Sequence, residues 1–170
     1  MTELYLIRHG VAVDRGAPGV PDAKRPLTEE GVQRVRSVAR GLQRLGIRPQ
    51  QIYTSPWLRA VQTAEWLSAE LEVEPPKLVD AMAPAAPKSQ LMTVLSEESA
   101  SSIALVGHEP HLSRLLSYLI TGGEDAAIEI RKGGVACLSC EGKASAGTAT
   151  LRWLLTSKQL RLIGGAKGSA

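Results

Sequence analysis

No run of like charge, no long apolar stretch and almost no cysteine occur among these 170 residues, and each shortage removes a class of protein. Lys and Arg outnumber Asp and Glu by only 20 to 17, for a formal charge of +3. The basic residues are not gathered into the kind of arm that binds nucleic acid, and they read as ordinary solvated surface. No segment approaches the roughly 18 consecutive apolar residues of a membrane-spanning helix. Met1 to Ile7 carries the acidic Glu3 and only a short apolar run before Arg8 and His9, so it lacks the marks of a secretory signal. A cytoplasmic protein with neither nucleic acid nor membrane as partner is the expectation.

Other absences narrow the chemistry. Only Cys137 and Cys140 are present, in a CxxC with no second pair and no adjacent His, which is thin support for zinc or redox work. Their stretch reads as a strand, in which residues three apart point to opposite faces, so two structural thiols are expected. Neither GxxxxGK[ST] nor GxGxxG occurs, which leaves a nucleotide-binding loop unsupported. His108-Glu109-Pro110-His111 is not the HExxH helix, because Pro110 disrupts it, and His9, His108 and His111 are too few ligands for a metal hydrolase.

What is present suits one α/β domain, expected over 1–163, with a small, polar tail at 164–170 that frays. Leu4–Ile7 and Ile103–Val106 are continuously apolar, the pattern of strands buried on both faces of a parallel sheet, and Ile52–Thr54 resembles them. Thr28 is placed to cap a helix whose first turn holds Glu29 and Glu30 and which runs to Gly46. A second helix is expected to open at Ser55-Pro56 and to close before Pro75-Pro76. Lys77–Val79 suggests a short strand. Further helices are expected over Ser89–Leu95 and His111–Ile120, then a hairpin of Val135–Cys140 with Thr148–Leu155. Together these predict a three-layer α/β/α sandwich around a mostly parallel sheet with an antiparallel edge. The segment from Val13 to Lys24 shows no hydrophobic period and is expected to form a mobile rim.

Three motifs fall just beyond strand ends, where ligands bind in open α/β sheets. Arg8-His9-Gly10 follows the first strand, Ser55 to Arg59 the second, and Gly107-His108 the third of those runs. Alone, each is weak, since an arginine in a helix's first turns is usually solvated and a lone His is usually a satisfied core or surface residue. Their shared placement carries the information. Arg8 and Arg59 are permanent cationic forks that match phosphate oxygens, His9 is a nucleophile of near-neutral pKa, and His108 can donate to phosphoryl oxygens. For His9 to attack, its other ring nitrogen must be held as a donor, with a backbone carbonyl the expected acceptor. Gly10 and Gly107 allow close backbone approach.

At these residues the chain resembles the histidine phosphatase superfamily, also called phosphoglycerate-mutase-like (branch 1). Its RHG motif corresponds to Arg8-His9-Gly10. The likeness extends through Pro26-Leu27-Thr28-Glu29-Glu30-Gly31, through Ser55-Pro56-Trp57-Leu58-Arg59-Ala60-Val61-Gln62-Thr63-Ala64, and through Val106-Gly107-His108. The resemblance implies His9 as phosphorylated nucleophile and Arg8, Arg59 and His108 as phosphate pocket. Two guanidinium groups and an imidazole supply the positive charge that Mg²⁺ provides in other phosphoryl-transfer sites, so no metal or cofactor is expected. Within the superfamily the chain is most similar to the short SixA-type phosphohistidine phosphatases.

Two departures from the family pattern matter. Val11-Ala12-Val13 stands where mutases and small-ester phosphatases have a polar residue. Ala81-Met82-Ala83-Pro84 stands where they carry an acidic proton donor, with Asp80 the nearest stand-in. Ser55 is a further substrate-binding candidate, and so is Arg25, though for Arg25 a solvated side chain is the competing reading. The expectation is a monomeric phosphatase acting on phosphohistidine in proteins, a histidine phosphotransfer domain for example. The alternatives are a small-molecule phosphate-ester phosphatase and a non-catalytic phosphate-binding module.

Overall fold

The computed structural model describes residues 1–165. Six strands form one sheet: β1 (Thr2–Arg8), β2 (Gln51–Thr54), β3 (Lys77–Leu78), β4 (Ser102–Gly107), β5 (Val135–Cys140) and β6 (Ala149–Leu155). Their order is β3-β2-β4-β1-β5-β6; the first four run parallel, and β5 and β6 complete the sheet antiparallel. The predicted α/β fold with its antiparallel edge is therefore present. The β5–β6 ladder slips by one residue between Cys137 and Leu138, the mark of a bulge.

Helices cover both faces because the parallel strands are apolar on both. Leu4, Leu6, Ile103 and Leu105 pack with Leu91 and Leu95 of α3 (Lys88–Glu97) and Leu112 and Leu115 of α4 (His111–Thr121). Tyr5, Ile7, Ala104 and Val106 face the other way. They meet Val35 and Leu42 of α1 (Glu29–Arg44), Ala64 and Leu67 of α2 (Leu58–Leu71), and Leu160 of α5 (Ser157–Ile163). Cys140 belongs to the first layer and Cys137 to the second, both buried and free, as the strand alternation required. Burial pushes the Cys137 thiol up to about 11, so neither packing nor charge makes it a thiolate.

Helix boundaries follow their local signals with two corrections. Thr28 caps α1, its side chain accepting from the Gly31 N–H at 2.9 Å, and Gly122 ends α4 in the left-handed region. α2, however, starts at Leu58 rather than at Ser55-Pro56, with Trp57 in extended backbone at the cap position. α5 was not expected: Thr156 and Gln159 form a capping box, a signal legible in the sequence, and Leu160 anchors the helix in the core. It displaces the start of the expected fraying tail, since the Gly164 N–H donates to the Leu160 carbonyl at 2.9 Å. Residues 166–170 of that tail lie outside the described residues.

α5 rests on α1 at a glycine: a Cβ on Gly41 would stand 2.1 Å from the Leu160 carbonyl oxygen. Gly41→Ala must push the helices apart, and overpacking of this kind costs about 1–3 kcal/mol. The expected result is a lower urea midpoint with turnover little changed. An unaltered midpoint would mean that α5 does not dock there.

Candidate active site

The site exists because of strand register. Arg8 pairs with Gly107 and Thr54 with Val106, so β1, β4 and β2 end level with one another. The chain leaves the sheet at these three points as Arg8-His9, Gly107-His108 and Ser55. The His9 N–H donates to the Gly107 carbonyl at 3.0 Å and the Ser55 N–H to Val106 at 3.0 Å, which extends the ladder into the site. A fourth segment joins from β5, where the Arg8 N–H bonds Gly134 at 3.1 Å and the Gly133 N–H bonds the Arg8 and His9 carbonyls. That contact brings Lys132 to the cavity. At Gly10 a Cβ would stand 2.6 Å from a Val35 methyl, so only glycine lets α1 approach this closely.

His9 is buried, and both its nitrogens are engaged. Nδ1 lies 2.7 Å from the Gly10 carbonyl, a contact that requires Nδ1–H, and the Arg59 Nε–H donates to Nε2 at 3.1 Å. Two independent partners thus select the tautomer with a lone pair on Nε2. Burial lowers the His9 pKa to about 4 against the pull of the Gly10 bond, and Arg59, Arg8 and Lys132 push the same way. His9 is therefore neutral near pH 7.

His108 faces it, ring centroids 5.1 Å apart, with the Trp57 edge 5.3 Å away on another side. Its Nε2 is 2.8 Å from Ser55 Oγ, while that oxygen accepts from the Trp57 N–H at 3.3 Å. With one proton and two lone pairs, the serine hydroxyl pairs with Nε2 in either tautomer of His108. Burial, then His9 and Arg59, lower the His108 pKa to about 3.

Arg59, also buried, donates to the Asp22 carbonyl at 2.7 Å besides its bond to His9. Burial first, then Arg25, lowers its pKa to about 10, so it stays cationic at neutral pH. Arg25 is buried and lines the cavity, held by Asp22 Oδ1 at 2.6 Å and the Val13 carbonyl at 2.6 Å, which favours the site reading over the solvated one. Arg8 reaches in with one amino group on the Ile130 carbonyl at 3.0 Å. The resulting cavity of about 400 Å³ takes Arg8, His9, Arg25, Arg59, His108 and Lys132 into its walls, a cationic lining in which Ala12 is the single apolar residue.

The structure thus brings together His9, Arg8, Arg59 and His108, with Ser55 behind His108. Asp80 is not among them: it opens a short 3-10 turn, Asp80–Met82, is exposed, and does not line the cavity. Nor is the segment from Val13 to Lys24 simply a rim. Its Asp22–Lys24 turn supplies the Asp22 that orders Arg25 and Arg59, a role without hydrophobic period and so invisible to pattern reading. Two carboxylates do line the cavity in place of Asp80: Asp14, exposed, and Glu109, two residues before α4. Thr63 was also passed over: its hydroxyl accepts from the Gly10 N–H at 3.0 Å and donates to the Arg59 carbonyl at 2.7 Å, tying the two motifs.

These pKa values set the sign of acid stability. A histidine whose pKa is lowered on folding leaves the unfolded chain binding more protons, so stability rises with pH across the gap. For His9 that window runs from about 6.5 down to about 4. His108 and His111 add the same sign, whereas Glu109, raised by burial, opposes it. Melting temperature should fall between pH 6.5 and 4.5, and His9→Asn should flatten the fall. A melting temperature independent of pH would contradict a neutral, buried His9.

A family model described as histidine phosphatase superfamily (branch 1) matches residues 4–83. A protein of Picosynechococcus sp., itself of uncharacterised function, is 36% identical over 159 residues, 91% of this chain and 96% of that protein. Phosphohistidine phosphatase SixA of Escherichia coli is 23% identical over 94% of this chain and 97% of its own length. Among solved structures, protein histidine phosphatase SixA complexed with tungstate superposes with a TM-score of 0.79 at 22% identity, covering 92% of this chain and 97% of that one. The fold also carries a phosphoserine phosphatase of Entamoeba histolytica, at a TM-score of 0.70 and 18% identity, covering 94% of this chain and 100% of that one. With three of the four motifs converging on one cavity, the chain belongs to the histidine phosphatase superfamily and is a SixA-like phosphatase of its first branch.

Proposed function

We propose that this phosphatase removes the phosphoryl group from phosphohistidine in proteins, taking it first onto Nε2 of His9. The observation that carries the reading is the His9 tautomer, a neutral ring with its lone pair aimed among fixed cations. Arg59 holds that lone pair in the resting protein, and its guanidinium turns to the phosphoryl oxygens when phosphorus arrives. Arg8, Arg59 and the Nδ1–H of His108 then neutralise charge on the equatorial oxygens, where a phosphoryl-transfer transition state concentrates it. Beyond that turn of Arg59, the cationic groups already line the cavity, which limits the reorganisation the reaction needs.

Substrate class follows from leaving group and walls. Phosphohistidine protonated on its free ring nitrogen departs as neutral imidazole, whose conjugate acid has a pKa of roughly 6.5, while an ester must expel an alkoxide nearly as basic as hydroxide, with a parent pKa of about 15.7. The lining offers one apolar side chain and exposed Asp14 and Arg15 at the mouth, so a small organic phosphate finds little to pack against. A folded partner such as a histidine phosphotransfer domain supplies its own walls. The likeness to SixA of Escherichia coli supports the same class. The reading retains the sequence expectation of a cytoplasmic monomer. One observation favours the small-ester alternative: Glu109 lines the cavity and could serve such a reaction as an acid.

Two measurements test the proposal. The kcat/KM for a phosphohistidine protein should exceed that for phosphoserine peptide and 3-phosphoglycerate by about 100-fold or more, the scale on which lacking an effective leaving-group acid penalises esters; a ratio near one would select the ester reading. Rapid quenching should place an acid-labile phosphoryl group on His9. Loss of that label and of turnover in His9→Asn, with phosphate still bound, is the expected pattern. Wild-type turnover in that variant would exclude His9 as nucleophile.

A further inference from the structure

A second cavity, of about 340 Å³, adjoins the catalytic one, and the two share Arg8 and Lys132. Arg34, Arg131 and Glu129 complete its charged lining. Together the two cavities gather seven of the chain's 20 cationic residues but only three of its 17 acidic ones, which leaves thirteen cations and fourteen carboxylates for all the rest. The positive excess of the chain is therefore concentrated at this face, although along the sequence the same residues are scattered from Arg8 to Lys132. We propose that the second cavity docks carboxylates of the protein substrate, so that the phosphatase selects a phosphohistidine presented from an acidic surface.

Backbone bonds tie this cavity to the nucleophile. The Gly133 N–H donates to the Arg8 and His9 carbonyls, each at 3.1 Å, and the Gly134 N–H closes a turn on the Arg131 carbonyl at 2.7 Å. Arg131 and Lys132 thus stand at a fixed offset from His9. On the opposite wall Arg34 projects from the second turn of α1, which the absence of a side chain at Gly10 allows to lie close. A carboxylate held between them belongs to the same surface as the side chain that enters the catalytic cavity. Such a contact steers the encounter and sets its register, which is what charged rims do at protein interfaces.

The competing account is a solvated surface whose cations are already neutralised. Arg34 does pair with Glu30, and Arg131 with Glu129 at 3.6 Å. These side chains are 41% to 73% exposed, however, and exposed pairs contribute so little that an incoming carboxylate displaces them at small cost. Lys132 has no ion-pair partner among the described residues. Nucleic acid is drawn to positive charge as well, but the second cavity offers no aromatic ring on which a base could stack. An acidic protein surface meets the charge and needs no such ring.

The inference rests on the reading of a protein substrate, and the test separates the two. Four peptides of one core sequence carry phosphohistidine or phosphoserine between flanks of glutamate or of lysine. With phosphohistidine, kcat/KM should be about tenfold higher for glutamate flanks in dilute buffer, chiefly through KM, and the ratio should shrink towards one in about 1 M salt, where the screening length is about 3 Å. Arg34→Glu combined with Arg131→Glu should abolish or invert the ratio while turnover of p-nitrophenyl phosphate stays within about twofold of wild type. Should that variant fail to fold, Arg131→Ala is expected to lower the ratio in the same assay. A ratio near one in wild type, or an unchanged ratio in the folded variant, would overturn the docking site. Stronger inhibition by oligothymidylate than by polyglutamate of equal charge would reassign the face to nucleic acid and overturn it as well. If phosphoserine between glutamate flanks is hydrolysed as fast as phosphohistidine, and both keep the flank ratio, the phosphohistidine reading fails and the docking site stands.

Discussion

Everything in the site depends on keeping one imidazole neutral while surrounding it with positive charge. A protonated His9 would sit largely buried among Arg8, Arg59 and Lys132, and it would have no lone pair left on Nε2. Burial imposes neutrality, and two hydrogen bonds decide which nitrogen keeps the proton. The same cations that disfavour His9⁺ suit a phosphate, so a single electrostatic arrangement keeps the imidazole neutral and makes the cavity receptive to an anion. His108, lowered by the same burial and by His9 itself, joins as a neutral donor.

That arrangement is held by the sheet rather than by the side chains themselves. Level strand ends at Arg8, Thr54 and Gly107 fix three backbone exits within one hydrogen-bonded ladder, and the side chains inherit their positions. Long-range ties then remove the remaining freedom: Gly10 to Thr63, Leu27 to Gln62, and Arg59 to Asp22. The short turn at Asp22–Lys24 stands out because its carboxylate and carbonyl serve Arg25 and Arg59 together, restraining two cations that would otherwise repel each other. A loop without a hydrophobic core contact can be ordered in this way by charge alone.

Asp14 and Glu109 set two carboxylates among the cations of the cavity, and neither comes from the segment after β3 where an acidic residue was sought. The lining is polar and open, with Ala12 its one apolar side chain, so its walls suit a phosphoryl group better than an organic remainder.

Local signals sufficed for much of this. Apolar strands, the Thr28 cap, the left-handed Gly122 and the three strand-end motifs are encoded within a few residues of themselves, so the sheet, most helices and the set Arg8, His9, Arg59 and His108 were legible in the sequence. The exceptions share one physical cause. Ser55 reads only as a local cap, yet its hydroxyl also meets His108, 53 residues away; Arg25 reads as solvated until Asp22 and Val13 enclose it. Asp80 is near the expected donor position in sequence but faces solvent, whereas Glu109, dismissed with a motif that Pro110 breaks, is carried into the cavity beside His108 at the end of β4. Sequence by itself determined which residue types end which strands, because backbone propensity and burial pattern are short-range. Which carboxylates line the cavity, and which nitrogen of His9 carries the lone pair, only the tertiary structure decided, because both depend on partners brought together across the chain.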